Sequence, residues 1–252
     1  VKIIAIYNIK GGVGKTATAV NLSYLASLDG ASTLIWDLDP QGAASYYFRI
    51  KAKVKGGGQQ LVQGKKDLED AIRGTDYECL DLLPADFSYR NMDLFLDQTK
   101  KPAQRLNKLL MPLAEEYDYI FLDCPPSISA ASESVFAAAD ILLVPTIPTT
   151  LSLRTYKQIK KFFKQEHFDT MKILPFFAMV DRRKQLHRLI VEYPPSFMTH
   201  VLNSYIPYAS EVERMGVNRA PLGEFAAHSR AAISYRSMWE EIKEHLFPLQ
   251  QN

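Results

Sequence analysis

Lys10-Gly11-Gly12-Val13-Gly14-Lys15-Thr16 lies between an apolar, β-branched run, Lys2 to Tyr7, and a segment from Ala17 to Leu28 with helical spacing through Val20, Leu22, Leu25 and Leu28. A strand, a glycine-rich turn and a helix in that order make an anion cradle. Glycines let backbone N–H groups close on a phosphate. The following helix points its free N–H groups and positive dipole end at the same place. Lys15 would reach the β- and γ-phosphates of a nucleotide and Thr16 would hold Mg²⁺, with Gly11, Gly12, Val13, Gly14 and Ala17 completing the cradle. The pattern departs from GxxxxGK[ST] at its first position, Ile9, and places a second lysine, Lys10, ahead of the glycine pair.

Outward from this loop, strand-like runs recur at Ser32–Trp36, Cys79–Leu83, Tyr119–Leu122, Ile141–Val144 and Ile173–Met179. Helical stretches fall between several of them, at Pro102–Glu116, Ala130–Ala139 and Ser152–Gln165. Strands alternating with helices predict one α/β domain over residues 1–252, a doubly wound, mostly parallel sheet with helices on both faces. A last helix, Ser229 to Leu246, would bury Ile233, Met238, Trp239 and Ile242. Residues 51–66, rich in Gly and Lys, read as a mobile surface insertion. Carboxylates at the carboxyl ends of neighbouring parallel strands face the crevice that holds the phosphate loop. Asp37 and Asp123 occupy such positions and are candidate Mg²⁺ ligands, Asp123 through water. Asp39, two residues further out, is placed to orient or deprotonate an attacking water, or else to cap its own loop.

Composition excludes several classes. With 252 residues, 47% hydrophobic and 23% charged, the chain is neither disordered nor collagenous. No run approaches the ~20 apolar residues of a membrane span, and no secretory leader is visible. Two cysteines, Cys79 and Cys124, outside any metal-binding spacing, suit a reducing compartment. Residues 1–150 carry 15 basic and 18 acidic side chains (−3), residues 151–252 carry 15 and 10 (+5). The basic third could meet an anionic polymer or be an ordinary solvated face.

The loop IKGGVGKT, with its extra lysine, resembles the deviant Walker A box of the ParA/MinD group of P-loop ATPases. Asp37-Leu38-Asp39-Pro40-Gln41-Gly42 is similar to that group's A′ box, and Asp123-Cys124-Pro125-Pro126 to its Walker B box. Ile206-Pro207, Arg219-Ala220-Pro221 and the stretch from Ala231 through Tyr235-Arg236 to Ile242 follow the ParA rhythm; residues 43–78 match least. The resemblance implies an ATPase using ATP and Mg²⁺, with Lys10, Lys15 and Asp39 in the catalytic set. It implies that Lys10 crosses to the partner's nucleotide, so that a homodimer forms in the ATP state around two nucleotides. Met179, Asp181, Arg182 and Pro207 would line the adenine. It further implies a ParB-like or adaptor protein that stimulates hydrolysis, and a cytoplasmic, nucleoid-associated location.

Four jobs compete on this frame. A ParA-type ATPase binds nonspecific double-stranded DNA and positions a cargo, whether plasmid, chromosome, microcompartment or receptor cluster. Its contacts here would come from Arg219, Arg230 and Arg236, and from Lys157, Lys160, Lys161 and Lys164, which share one helical face. Arg182, Arg183, Lys184, His187 and Arg188 form a further basic cluster. A MinD-type ATPase needs a basic amphipathic membrane helix; the six residues after Leu246, with a Pro, are not expected to supply one, so no membrane partner is expected. An electron-transfer ATPase needs paired cluster cysteines. A non-catalytic adaptor would not need Asp39. Operator-specific repression is not expected either, since no helix-turn-helix precedes the loop in this sequence.

Overall fold

The computed structural model describes residues 1–98 and 101–247. Seven strands form a single sheet: β1 (Lys2–Ile6), β2 (Thr33–Asp37), β3 (Arg73–Gly74), β4 (Leu80–Leu83), β5 (Tyr119–Asp123), β6 (Ile141–Thr146) and β7 (Ile173–Phe177). Their spatial order is β3-β4-β2-β5-β1-β6-β7, and every pairing is parallel except that of the two-residue edge strand β3 with β4. The predicted fold class is therefore observed.

Alternation along the strands divides the apolar residues between two cores. Ile3, Ala5, Tyr7, Leu34, Trp36, Ile120, Leu122, Leu142 and Val144 belong to one face. Ile4, Ile6, Ile35, Phe121, Leu143, Leu174 and Phe176 belong to the other. Such a sheet, apolar on both sides, must be covered on both sides. On the first face lie α3 (Gly58–Val62), α4 (Met92–Asp97), α5 (Arg105–Leu110), α6 (Ala130–Ala138), α7 (Thr150–Gln165) and α8 (Gln185–Glu192). The second is covered by α1 (Lys15–Leu28), α2 (Ala43–Tyr47), α9 (Ser210–Asn218), α10 (Leu222–Phe225) and α11 (Arg230–Leu246). Trp239 of α11 packs edge-on against Tyr119 and donates its indole N–H to Asp29 at 2.8 Å, anchoring the last helix beside α1.

Three expectations change. Residues 51–66 are not a loose insertion: Val54, Leu61 and Val62 are buried, and the Val54 N–H donates to Asp86 at 2.9 Å. Pro102–Glu116 is not one helix but 3₁₀ turns at Pro102–Gln104 and Met111–Glu115 flanking α5. Pro112 lacks the N–H that α5 would need to continue and its ring would meet the preceding turn. Ile233 is 48% exposed, because the buried face of α11 runs through Ala231, Tyr235, Met238, Trp239, Ile242 and Leu246. The residues after Phe247, apart from which the membrane-helix question cannot be posed, lie outside the described residues.

Candidate nucleotide site

Three neighbouring strands deliver the three motifs to one end of the sheet. Ile6 of β1 is in register with Asp123 of β5, and Asp123 with Asp37 of β2. The glycine loop leaves β1 and enters α1, with Gly12 and Gly14 at φ +68° and +93°. Gly14 is the cap residue of α1, and a side chain at that φ would be strained. The loop is tied at its base by Asn8, which is buried. Its side-chain carbonyl accepts the Lys10 N–H at 2.9 Å, and its amide donates to the Pro145 carbonyl at the end of β6, 2.8 Å away.

The two loop lysines differ. Lys15 is 7% exposed, and its Nζ donates to the Lys10 carbonyl at 3.3 Å. Burial lowers its pKa, and Asp123 acts in the opposite direction. The Lys10 side chain is exposed. Asp37 and Asp123 are both fully buried. One Asp37 oxygen accepts the Ser45 N–H and hydroxyl, each at 2.8 Å. Among the described residues its other oxygen and both oxygens of Asp123 have no hydrogen bond of normal geometry, although the Thr16 hydroxyl lies near Asp123. Burial raises the Asp37 carboxyl to about 6, with Asp39 adding to the shift and the Ser45 bonds opposing it. Burial and the Asp37 charge push Asp123 up as well, against the Thr16 hydroxyl and Lys15. Two buried carboxylates side by side with unmet oxygens are costly unless a cation joins them. The donor set of Thr16, Asp37 and Asp123 therefore fits a hard divalent ion such as Mg²⁺.

Asp39 is half-buried at the crevice. Its Oδ1 accepts the Gln41 N–H at 2.9 Å, so the capping role is real; Oδ2 takes no hydrogen bond among the described residues. Cys124 is buried at the carboxyl end of β5, whereas exposed Cys79 precedes the amino end of β4. With β4 and β5 both parallel to β2, the thiols sit at opposite ends of the sheet and cannot share a cluster.

The two segments predicted for the base meet: Val180 bridges Pro207, with Val180 N–H to Ile206 O and Tyr208 N–H to Val180 O both at 3.0 Å. Met179 and Pro207 line a small apolar slot that also includes Gly14. Asp181 and Arg182 line the adjoining open cleft with Arg230. The Asp181 carboxylate is already held by Arg183, at 2.9 and 3.0 Å, which draws it down to about 2.

The basic residues do not form a single patch. Lys157, Lys161 and Lys164 are exposed on α7, but Lys157 lies over the Phe197 ring. Lys160 is turned inward, donating to Phe197 O at 2.9 Å and to the Thr199 hydroxyl at 3.2 Å. Arg219 packs on Tyr46 of α2 and donates to its carbonyl at 3.0 Å. Arg236 donates to Ala227 O. Among the described residues no hydrogen bond or ring contact joins the α7 lysines to Arg219, Arg230 or Arg236. Sequence reasoning missed Asn8 and Ser45, and it named Arg183 only as a member of a basic cluster, not as the partner of Asp181. Asn8, a lone amide in an apolar strand end, carried a readable signal; Ser45 and Arg183 work through contacts that only the fold creates.

Residues 1–174 match the family model described as an AAA domain. The chain is 31% identical over 247 residues to the sporulation initiation inhibitor protein Soj of Bacillus subtilis (strain 168), covering 96% of this chain and 98% of that protein. It is 30% identical over 255 residues to the chromosome partitioning protein ParA of Myxococcus xanthus (strain DK1622), covering 98% and 89%. A solved structure of cobyrinic acid a,c-diamide synthase from Mycobacterium smegmatis, with bound ATP analogue and magnesium, shares the fold at a TM-score of 0.84 and 23% identity, covering 98% of this chain and 96% of that one. Sheet order, glycine loop and paired strand-end carboxylates together define a P-loop nucleotide-binding protein. Within that class, the chain belongs to the ParA/MinD family of P-loop ATPases.

Proposed function

We propose that this chain is a ParA-like ATPase that binds ATP and Mg²⁺, pairs with a second copy around two nucleotides, and in that state binds duplex DNA without sequence preference. Hydrolysis to ADP and phosphate, stimulated by a ParB-like or adaptor protein, would release the pair and so position a cargo on the nucleoid. A relative named for chromosome partitioning and a fold neighbour holding an ATP analogue with magnesium favour this reading. Lys15 and the loop amides would bind the β- and γ-phosphates, and Asp39, through its unengaged oxygen, would orient the attacking water. Mg²⁺, held by Thr16, Asp37 and Asp123, would supply charge neutralisation at the phosphate oxygens. Met179 and Pro207 would wall the base, with Asp181 and Arg182 at its rim. Arg219, Arg230, Arg236, Lys157, Lys161 and Lys164 are the DNA contacts we assign; Lys160, being turned inward, is withdrawn from that set.

The observation that carries the proposal is the contrast within one loop, where Lys15 is buried and Lys10 exposed. One phosphate cradle is served by one ammonium. The second is exposed and so free to reach another anion, and covering it at an interface between two copies would require one there. Light scattering with a nonhydrolysable ATP analogue and Mg²⁺ should give a dimer for the parent chain and a monomer for Lys10→Ala, with nucleotide affinity retained. A dimeric Lys10→Ala protein would refute the sandwich.

A further inference from the structure

From Pro40 through Lys66 the chain has no Asp or Glu and six cations, Arg49, Lys51, Lys53, Lys55, Lys65 and Lys66. Residues 43–78 resemble the family least, and none of these six cations is used by the nucleotide site or by the DNA contacts assigned above. The fold gives it a definite surface. Val54 is buried and pinned through its N–H to Asp86, while Lys51, Lys53 and Lys55 on either side of it are exposed. Lys66 donates to the Lys55 carbonyl at 3.2 Å and so draws the 65–66 end against the 51–55 end, with Lys65 exposed beside it. Among the described residues no carboxylate pairs with Lys51, Lys53, Lys55 or Lys65, and the one ion pair on the strip joins Arg49 to Asp76, both exposed.

The strip is continuous with a residue already assigned to DNA. Arg219, at the end of α9, stacks 4.5 Å above the Tyr46 ring and donates to Tyr46 O, and Arg49 returns a bond to Asn218 O. The cationic surface at Arg219 therefore runs on into Lys51 and Lys53. It also hangs from the A′ box, since the space beside Gly42, which leads into α2, is filled by Ala52.

We infer that Lys51, Lys53, Lys55 and Lys65 form a second phosphate-backbone contact strip for duplex DNA, extending the surface that begins at Arg219. The inference rests on the proposed DNA binding and adds a contact region to it. Exposed lysines on a Gly- and Lys-rich stretch offer charge without groove-reading geometry, which is what sequence-independent phosphate contact requires. An acidic polypeptide, by contrast, would want a buried apolar or aromatic anchor among the charges, and the exposed residues of 51–57 are three lysines, one alanine and one glycine.

The test is anisotropy of a labelled random-sequence duplex with ATP and Mg²⁺, titrated over a salt series, for the parent, a fourfold Lys51/Lys53/Lys55/Lys65→Ala variant and a fourfold Lys→Arg variant. Each phosphate contact contributes about 0.9 to the slope of log affinity against log salt, so the alanine variant should lose about 2 to 4 from that slope and about 10- to 100-fold in low-salt affinity. The arginine variant should keep both, and all three should bind labelled ATP equally, which reports the fold. A parent that ignores duplex DNA refutes the DNA reading itself and this strip with it. A parent that binds, alongside an alanine variant of equal affinity and slope, refutes the strip alone. Unchanged DNA binding with lost retention on immobilised poly-L-glutamate would assign the strip to an acidic protein and overturn the inference.

Discussion

Asp37 carries a buried carboxyl of which the free protein satisfies one oxygen, through Ser45, and leaves the other without a partner among the described residues. An unfolded aspartate titrates near 3.9, while in the fold burial lifts it to about 6. Between those values the folded chain keeps a proton that the unfolded chain has released. The Asp37 contribution to the stability of the nucleotide-free protein therefore falls as pH rises from about 4 to about 6, by roughly 2–3 kcal/mol, and the raised Asp123 carboxyl extends the loss to higher pH. Asp37→Asn keeps an acceptor for Ser45 and removes the charge. It should melt higher than the parent at pH 8 without Mg²⁺, with the gap closing at pH 5, and it should lose Mg²⁺-dependent nucleotide binding. A parent that is the more stable of the two at pH 8 would show that the carboxylate is satisfied. Asp39 is a different case, half-buried with one oxygen on the Gln41 N–H. Asp39→Ala should dimerise with ATP and bind duplex, yet turn over ATP at least ~10²-fold more slowly, the usual scale of a lost general base. Parental turnover in a phosphate-release assay would remove Asp39 from the chemistry. These residues were legible because few side chains can hold a phosphate or a divalent ion, so their order along the chain is informative. Asn8 and Ser45 are ordinary polar residues until the fold brings Pro145 and Asp37 to them.

At the level of elements, boundaries and amphipathic faces were legible where period and length agreed, as on α7, where Ile159 and Phe163 are buried with Phe162 packed beside them. They were misread where composition stood in for contact. Residues 51–66 look soluble throughout, but three apolar side chains pin them to the core. Gly58 starts α3 flat against Tyr89, and an added Cβ would lie 2.1 Å from that ring's Cε1. Tyr89 is buried, and its hydroxyl accepts the Trp36 indole N–H at 3.3 Å, so the ring is not free to swing away. Gly58→Ala should destabilise the protein by about 1–3 kcal/mol, read as a lower urea midpoint with unchanged slope. An unmoved midpoint would mean that α3 contributes little to the packing.

Across the whole molecule, the βαβ alternation and the site at the carboxyl end of the sheet followed from the sequence, because a parallel sheet apolar on both faces leaves few arrangements. The basic surface did not. Its residues come from segments far apart in the chain, and local spacing cannot tell an outward lysine from Lys160, which closes on Thr199. The same architecture separates the two thiols. Cys124 is sealed beneath the nucleotide crevice while Cys79 stands open at the opposite rim, in the left-handed region at φ +57°. A maleimide fluorophore thus finds one accessible attachment point, and that point is remote from phosphate, metal and base. The chain arrives ready for single-molecule tracking and distance measurements between paired copies, with no engineered cysteine and no label near the chemistry.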